Sequence, residues 1–101
     1  MTDRGAEPLF DPIIHAPQRL QICALLSRGG EVDFATLRDV LEVSDATLSK
    51  HLKTLGDAGY VTLRRVHRDS GHARAWARLT PEGQRALDGH FSFLTRLREG
   101  T

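Results

Sequence analysis

The feature that most constrains the fold of this chain is a capped amphipathic helix followed almost at once by a β-hairpin. Three leucines recur at the spacing that places side chains on one face of a helix, namely Leu48, Leu52 and Leu55. Ser44 is a favourable N-cap before this helix, and Gly59 is a favourable stop because glycine adopts positive φ without strain. The pattern predicts a helix over residues 45–58 with one apolar face and one polar face.

Two strand-like runs follow this helix, residues 60–67 and residues 72–79, with a turn-forming Asp-Ser-Gly sequence between them. In the second run small apolar residues alternate with two arginines and a tryptophan. One face of that strand is therefore expected to pack inward and the other to face solvent. The first run alternates less regularly at residues 64–66, which leaves a β-bulge open at that point.

The part of the chain before residue 44 predicts two further helices. Pro17 opens a helix that runs to Leu26 and ends before two glycines. Asp33 is a favourable N-cap for the next helix, and a short strand over residues 32–34 is compatible with the same sequence. The apolar face of this second helix is predicted to consist of Leu37, Val40 and Leu41.

Both ends of the chain add helical segments to this pattern. Near the N-terminus, the sequence LFDPII predicts a turn of helix. Near the C-terminus, Thr80 is a favourable N-cap for a helix that begins at Pro81 and extends to about Arg98. The order predicts an α+β, mostly α fold of the winged helix-turn-helix type, with a three-helix core, a two-stranded wing and a C-terminal helix.

Length and composition are those of a single globular domain covering residues 1–101. We expect residues 1–8 to form a disordered tail. The chain lacks the apolar stretch of a secretory signal and any apolar run long enough for a membrane span, so a cytoplasmic location is expected. Its one cysteine, Cys23, lies in an apolar helix and is predicted to be a buried thiol, with a redox switch as the alternative.

Charge is distributed unevenly along the chain, although the formal net charge is only +1. Residues 46–80 contain seven lysines and arginines against two aspartates, and the rest of the chain is net acidic. A concentrated basic segment attracts polyanions to one side of a molecule. The alternative is an arginine-rich hairpin that is merely solvated.

The segment LRDVLEVSDATLSKHLKTLGDAGYVTLRR resembles the winged-helix transcriptional regulators of the MarR and ArsR type, and ARLTPEG resembles the junction between wing and last helix in MarR-like and PadR-like proteins. The resemblance covers roughly residues 15–90. It implies that the helix after Ser44 is the recognition helix, which enters the major groove of duplex DNA. The compact length is closer to stand-alone winged-helix dimers than to full MarR proteins.

The recognition face and the hairpin supply the candidate DNA-binding residues. Short polar side chains and lysines on the recognition helix suit base edges and phosphates, and arginines on the hairpin suit phosphates and narrow minor grooves. Arg64 is near the base of the hairpin, where an ion pair with an acid such as Glu42 or Asp45 is the alternative. His51 and Trp76 are predicted to pack rather than to contact DNA. The candidates are Ser44, Ala46, Thr47, Ser49, Lys50, Lys53, Arg64, Arg65, Arg68, His72 and Arg74.

The apolar residues of the last helix and of LFDPII exceed what a small core can cover, so we expect a homodimer paired through these segments. The alternative is a monomer that folds both ends back onto itself. A dimer would place two recognition helices about one turn of DNA apart, roughly 34 Å. The predicted interface residues are Phe10, Ile13, Ile14, Leu87, Phe91, Leu94 and Leu97.

The sequence contains no motif that indicates catalysis, a cofactor or a metal centre. The paired cysteines that ArsR-type proteins often carry near the recognition helix are missing, and only His67 and His72 flank a turn closely enough to suggest a metal. We therefore expect no enzyme activity, no cofactor and no metal. Three hypotheses remain: a DNA-binding regulator, most simply a repressor; a winged helix that docks proteins; and a ligand- or metal-responsive sensor of the same fold.

Overall fold

The computed structural model describes residues 7–67 and 73–100. It is mostly helical with one small antiparallel sheet, which confirms the predicted fold class. The elements in chain order are α1 (Pro12–His15), α2 (Pro17–Leu26), β1 (Val32–Asp33), α3 (Phe34–Leu41), α4 (Asp45–Asp57), β2 (Val61–His67), β3 (Ala73–Leu79) and α5 (Pro81–Glu99).

Side-chain caps begin three of the helices. The Asp11 carboxylate accepts from the first free amides of α1, Ser44 Oγ accepts from Thr47 N–H, and Thr80 Oγ1 accepts from Gly83 N–H. These caps satisfy amides that a helix cannot pair internally. Asp33 occupies the N-cap position of α3 as predicted, yet its carboxylate accepts from the Thr36 hydroxyl instead of a backbone amide.

The hairpin of β2 and β3 is in continuous antiparallel register, from Val61 opposite Leu79 to His67 opposite Ala73. The bulge considered at residues 64–66 is therefore wrong, because each residue of β2 has one partner on β3. The sheet has a third strand, since β1 pairs with the other edge of β3 and places Val32 opposite Ala77. The predicted two-stranded wing is thus anchored to the helical core through a short edge strand.

The core lies where the helices meet the sheet. The prediction for α3 was wrong at Val40, which is 57% exposed. This helix has only eight residues and ends at Glu42 in the left-handed conformation; Leu37 and Leu41 are buried in the core, and Phe34 packs against it half-buried. The buried apolar residues are Ile14, Ile22, Cys23, Leu26, Leu37, Leu41, Leu48, Leu52, Leu55, Val61, Ala77 and Leu87.

The N-terminal segment is ordered from a point earlier than expected. Residues 1–6 lie outside the described part of the chain, but the predicted tail extended to residue 8. Leu9 N–H donates to the Gly89 carbonyl at 3.0 Å, and the Glu7 carbonyl lies directly over Gly89. The segment before α1 is therefore packed along α5.

Candidate nucleic-acid interface

Helix α4 presents a polar face opposite the three buried leucines. Ala46, Ser49 and Lys50 are exposed, as predicted for a face that approaches DNA, and Thr47 is half-buried. Ser44 is exposed but partly committed to the cap, since its Oγ accepts from Thr47 N–H at 3.1 Å and donates to Thr47 Oγ1 at 3.0 Å. The exposed polar surface of α4 is thus centred on Ser49 and Lys50.

The two lysines of α4 differ in their surroundings. Lys53 Nζ lies 3.1 Å from Asp57 Oδ2 in an exposed pair one helical turn apart. Such surface pairs contribute little, so Lys53 can exchange this partner for a phosphate. Lys50 forms no ion pair with any residue in the described ranges. Of the two, Lys50 therefore presents the charge that is not offset by a neighbour.

His51 holds α4 against α2. His51 Nδ1 lies 3.2 Å from Arg19 Nη1, and His51 Nε2 lies 2.9 Å from Gln18 Oε1. An arginine can only donate, so Nδ1 accepts and Nε2–H donates to the amide oxygen, which is the neutral imidazole. Burial, and then the positive charges of Arg19 and Lys50, lower the pKa of His51. The predicted packing role of His51 is confirmed, and its partners on α2 were missed because only tertiary packing brings them together.

Arg38 joins α3 to the first turn of α4. Its guanidinium donates to Asp39 Oδ1 and to Asp45 Oδ1, both at 3.1 Å. The pairing raises the pKa of Arg38, chiefly through the hydrogen bond to Asp45. Asp45 is therefore occupied by α3 and is not the partner of the wing arginine that the sequence suggested.

Arg64 pairs with a different acid from either one predicted. Its Nε and Nη2 donate to the two oxygens of Glu31 at 3.0 and 2.7 Å, a bidentate pair. The hydrogen bond from Arg64 lowers the pKa of Glu31. The reason is the third strand: Asp33 and Arg64 both lie opposite Trp76, which brings the residues just before β1 close to β2. Because a bidentate carboxylate already satisfies it, Arg64 is less available to DNA than the other arginines in the described part of the wing.

Of the described candidate arginines of the wing, Arg65 and Arg74 are exposed without an ion pair to a described acid. Arg65 is opposite Ala75 and forms no ion pair with a described residue. The Arg74 guanidinium carbon lies 5.7 Å from the centre of the Trp76 ring, within range of a cation–π contact. Trp76 thereby has the packing role expected of it. The candidates Arg68 and His72 lie outside the described residues.

A cleft of about 680 Å³ separates α4 from the hairpin. Apolar side chains such as Leu52 and Val61 line it together with charges of both signs, Lys53 and Arg65 against Asp45 and Asp57. The two basic elements therefore flank one concave surface, which is the geometry needed to grip a polyanion from two sides.

The predicted interface residues fall into two groups. Ile14 and Leu87 are buried inside the chain's own core, so they have no surface to offer a partner. Phe10 and Phe91 are each 40% exposed and Leu97 is 64% exposed, whereas Ile13 and Leu94 are half-buried. Leu9, which the sequence pattern did not indicate, is 70% exposed beside them on the N-terminal segment.

Cys23 is buried, and burial raises the pKa of its thiol to about 12. This thiol is protonated and unreactive at neutral pH, as predicted for a packing residue. Within residues 7–67 and 73–100, no group of three or more His, Cys, Asp or Glu side chains is arranged to hold a metal ion. None of the described helices is long and apolar enough to cross a membrane.

The different surroundings of Arg64 and Arg65 lead to a direct prediction. Arg65→Ala should weaken binding to duplex DNA about fivefold, the upper end of what an exposed ion pair contributes, whereas Arg64→Ala should change it less than twofold. Titration of labelled duplex at fixed low salt measures both. Equal losses would show that Arg64 leaves Glu31 to bind DNA.

The chain is similar to known proteins both in sequence and in structure. Residues 18–97 match the family model described as winged helix DNA-binding domain. A transcriptional regulator homologue from Pyrococcus horikoshii OT3 is similar in structure, with a TM-score of 0.80 and 25% identity over 87% of this chain and 86% of that one. No curated protein sequence matches the chain.

Two further solved structures are similar. A possible transcriptional regulator for arsenical resistance is 31% identical, with a TM-score of 0.67, over 88% of this chain and 92% of that one. A MarR family transcriptional regulator from Silicibacter pomeroyi is 25% identical, with a TM-score of 0.62, over 87% of this chain but only 57% of that protein. The last value leaves over two fifths of that regulator without a counterpart in this chain.

Proposed function

The chain belongs to the winged helix DNA-binding domain family of transcriptional regulators, and from that premise we propose that it binds a near-palindromic DNA site as a homodimer and represses transcription there. The observation that carries the proposal is the exposed Lys50 face of α4 standing beside the exposed cations of the wing. A helix of these dimensions enters the major groove, and arginines on a hairpin reach the adjacent backbone or minor groove.

Each part of this surface has a role in the proposal. Ala46 and Ser49 face the bases, where an alanine methyl suits thymine and a hydroxyl suits either pair. Lys50 binds a phosphate or a guanine edge. Arg65 binds the backbone across the cleft from α4, and Arg74 binds it from the opposite face of the hairpin. Most of these contacts are to phosphate, so they position the protein and the few contacts to bases select the site.

Pairing is proposed through the exposed apolar residues of the N-terminal segment and α5. Leu9, Phe10, Phe91 and Leu97 expose large apolar side chains, which a monomer would leave in water. Burying them against a second copy contributes about 25 cal/mol per Å². A two-fold axis through this surface would set two α4 helices about 34 Å apart, the distance between successive major grooves on one side of DNA.

Repression is the simplest consequence of such binding, because a dimer seated on a promoter excludes polymerase from the same DNA. The similar structures support regulation in general: the Pyrococcus horikoshii OT3 protein is a transcriptional regulator homologue, and the 31% identical protein is a possible transcriptional regulator. The direction of the effect is inferred from steric exclusion alone.

Selection of tight binders from random duplex DNA, at two salt concentrations, tests the proposal. Enrichment of a near-palindrome with half-sites about one turn apart, bound less tightly as salt rises, is the expected result. Salt-sensitive binding with no enriched sequence would replace the regulator with a non-specific DNA binder. An absence of binding even at low salt would reject DNA as the ligand and favour a protein partner.

Sedimentation of the free protein is the companion measurement for pairing. We expect the mass of two chains at micromolar concentration. A protein that is monomeric at all concentrations would contradict the proposed homodimer. A promoter carrying the selected site upstream of a reporter then decides the direction of regulation, and increased transcription would overturn repression.

A further inference from the structure

Residues 9–11 form a latch that is held on α5 by two hydrogen bonds. Leu9 N–H donates to the Gly89 carbonyl at 3.0 Å, and Asp11 N–H donates to His90 Nδ1 at 3.0 Å. A Cβ at residue 89 would lie 2.9 Å from the Glu7 carbonyl oxygen, so only glycine lets the chain pass this close. The latch therefore depends on one imidazole and on one position that has no side chain.

The imidazole of His90 is completely buried and all its polar atoms are paired. Because Nδ1 accepts from the Asp11 amide, the ring proton is on Nε2, which donates to His15 Nδ1 at 3.0 Å. His15 in turn carries its own proton on its other nitrogen. The Phe10 ring covers the pair, with its centre 4.8 Å from that of His15 and 4.9 Å from that of His90.

This arrangement has no room for a further proton. A proton on His90 Nδ1 would face the Asp11 N–H, and one on His15 Nδ1 would face the His90 N–H, so each would place two donors head to head. Burial, and then His15, lower the pKa of His90, while the Asp11 carboxylate opposes them. The same carboxylate also accepts a hydrogen bond from the Tyr60 hydroxyl. Its charge raises the pKa of Cys23, and the charge of Arg19 lowers it.

We infer that the latch is closed only while His90 is neutral, so that acid releases residues 9–11 from α5. The closed form binds fewer protons than the open form. Its stability is therefore complete above 6.5, the ordinary pKa of histidine, and is lost as pH falls below that value. Local opening of this kind requires only a few interactions to break, and leaves the leucine core in place.

The consequence for pairing rests on the proposed function. Leu9 and Phe10 contribute two of the exposed apolar side chains of the proposed dimer surface, and Pro8 lines a small cavity with Phe93 and Leu97 of α5. Opening the latch removes the first two from that surface. Acid should then weaken self-association, and DNA binding with it, through a pair of histidines remote from the basic face.

Amide hydrogen exchange in the whole protein, followed by NMR between about pH 7.5 and pH 5.5, tests the latch directly. Protection factors of the Leu9 and Asp11 amides, corrected for intrinsic exchange at each pH, should fall by up to about tenfold per pH unit, the limit for uptake of one proton. His51 also favours its neutral form, so acid can destabilise the whole fold through that residue. Amides of α4 are therefore followed in the same sample as the control for global unfolding. Constant protection of Leu9 and Asp11 would overturn the inference.

His90→Asn tests whether the buried pair of His90 and His15, and no other group, takes up the proton. The asparagine oxygen takes the place of Nδ1, so it still accepts from Asp11 N–H but cannot be protonated. Protection of Asp11 should then stay constant as pH falls. If the variant loses protection with acid as the native protein does, the proton acts elsewhere and the proposal fails.

Gly89→Ala should open the latch at neutral pH, because the new methyl group displaces the Glu7 carbonyl. Alanine strengthens a helix, so α5 itself should not weaken. Gly56→Ala is the matched control, since its nearest neighbour would be the Val61 carbonyl oxygen at 3.8 Å, an ordinary contact. If the Leu9 amide is protected equally in Gly89→Ala and in the native protein, the latch does not pack over residue 89 as proposed.

Sedimentation of the same variants separates this inference from the proposed function. A dimer that is weaker in Gly89→Ala than in Gly56→Ala supports both. If Gly89→Ala loses protection of the latch amides but associates as before, the latch is supported, and residues 9–11 are not part of the pairing surface. A native protein that stays monomeric at every pH removes the pairing consequence, while the exchange data still decide the latch.

Discussion

Replacing Lys50 with glutamate is expected to lower the affinity for the selected DNA site about a hundredfold. Lys50 is exposed on the polar face of α4, and no described acid offsets its charge. Losing an exposed ion pair costs up to about 1 kcal/mol, and a glutamate adds repulsion, which together make about tenfold for each copy. The proposed homodimer carries the change twice. Titration of labelled duplex over a range of salt measures it. The slope of log K against log salt should become shallower by about 0.9 for each phosphate that the variant no longer neutralises.

The control is Arg85→Glu, which makes a similar charge reversal on α5, outside the basic segment. It changes the net charge by the same amount as Lys50→Glu, so a general electrostatic effect would weaken both variants alike. We expect Arg85→Glu to retain binding within about threefold, since long-range effects are screened at physiological salt. Equal losses would mean that α4 is not the element that contacts DNA.

Replacing Gly83 with alanine is expected to destabilise the fold by about 3 kcal/mol, the upper end for overpacking. A Cβ at residue 83 would lie 2.3 Å from the Tyr60 carbonyl oxygen and 2.8 Å from Leu79 Cδ1. Backbone cannot yield as the end of a side chain can, and this carbonyl also accepts Thr80 N–H at 2.9 Å. Either α5 moves away from the hairpin or this hydrogen bond breaks. Urea unfolding at one fixed protein concentration measures the change.

Gly56→Ala is again the appropriate comparison, because it makes the same substitution within a helix but meets no close atom. Removing glycine from a helix should stabilise it by about 0.5–1 kcal/mol. The two variants should therefore shift the urea midpoint in opposite directions. A Gly83→Ala protein as stable as Gly56→Ala would show that α5 does not approach the hairpin as closely as described.

Much of the candidate interface was predictable because it depends on local order. The leucine spacing of α4 determines which of its faces is polar, so Ala46, Ser49 and Lys50 emerged as exposed from sequence alone. Alternation along β3 similarly separated Arg74 from Ala77. The partners of these residues were not predictable. Glu31 reaches Arg64 across 33 residues, and Gln18 reaches His51 across the same separation, through contacts that exist only when the strands and helices pack.

By itself, the sequence determined the kinds of elements and their order, because helix periodicity, strand alternation and the caps Ser44 and Thr80 are short-range properties of the chain. Tertiary structure alone decided which apolar residues remain at the surface. Ile14 and Leu87 are as apolar as Phe91 and Leu97, yet the first two are buried in the core and the other two are exposed. Burial depends on which distant surfaces meet, and a local pattern carries no information about that. The same holds for His90, an ordinary histidine in the sequence that the packing of α1 on α5 encloses completely.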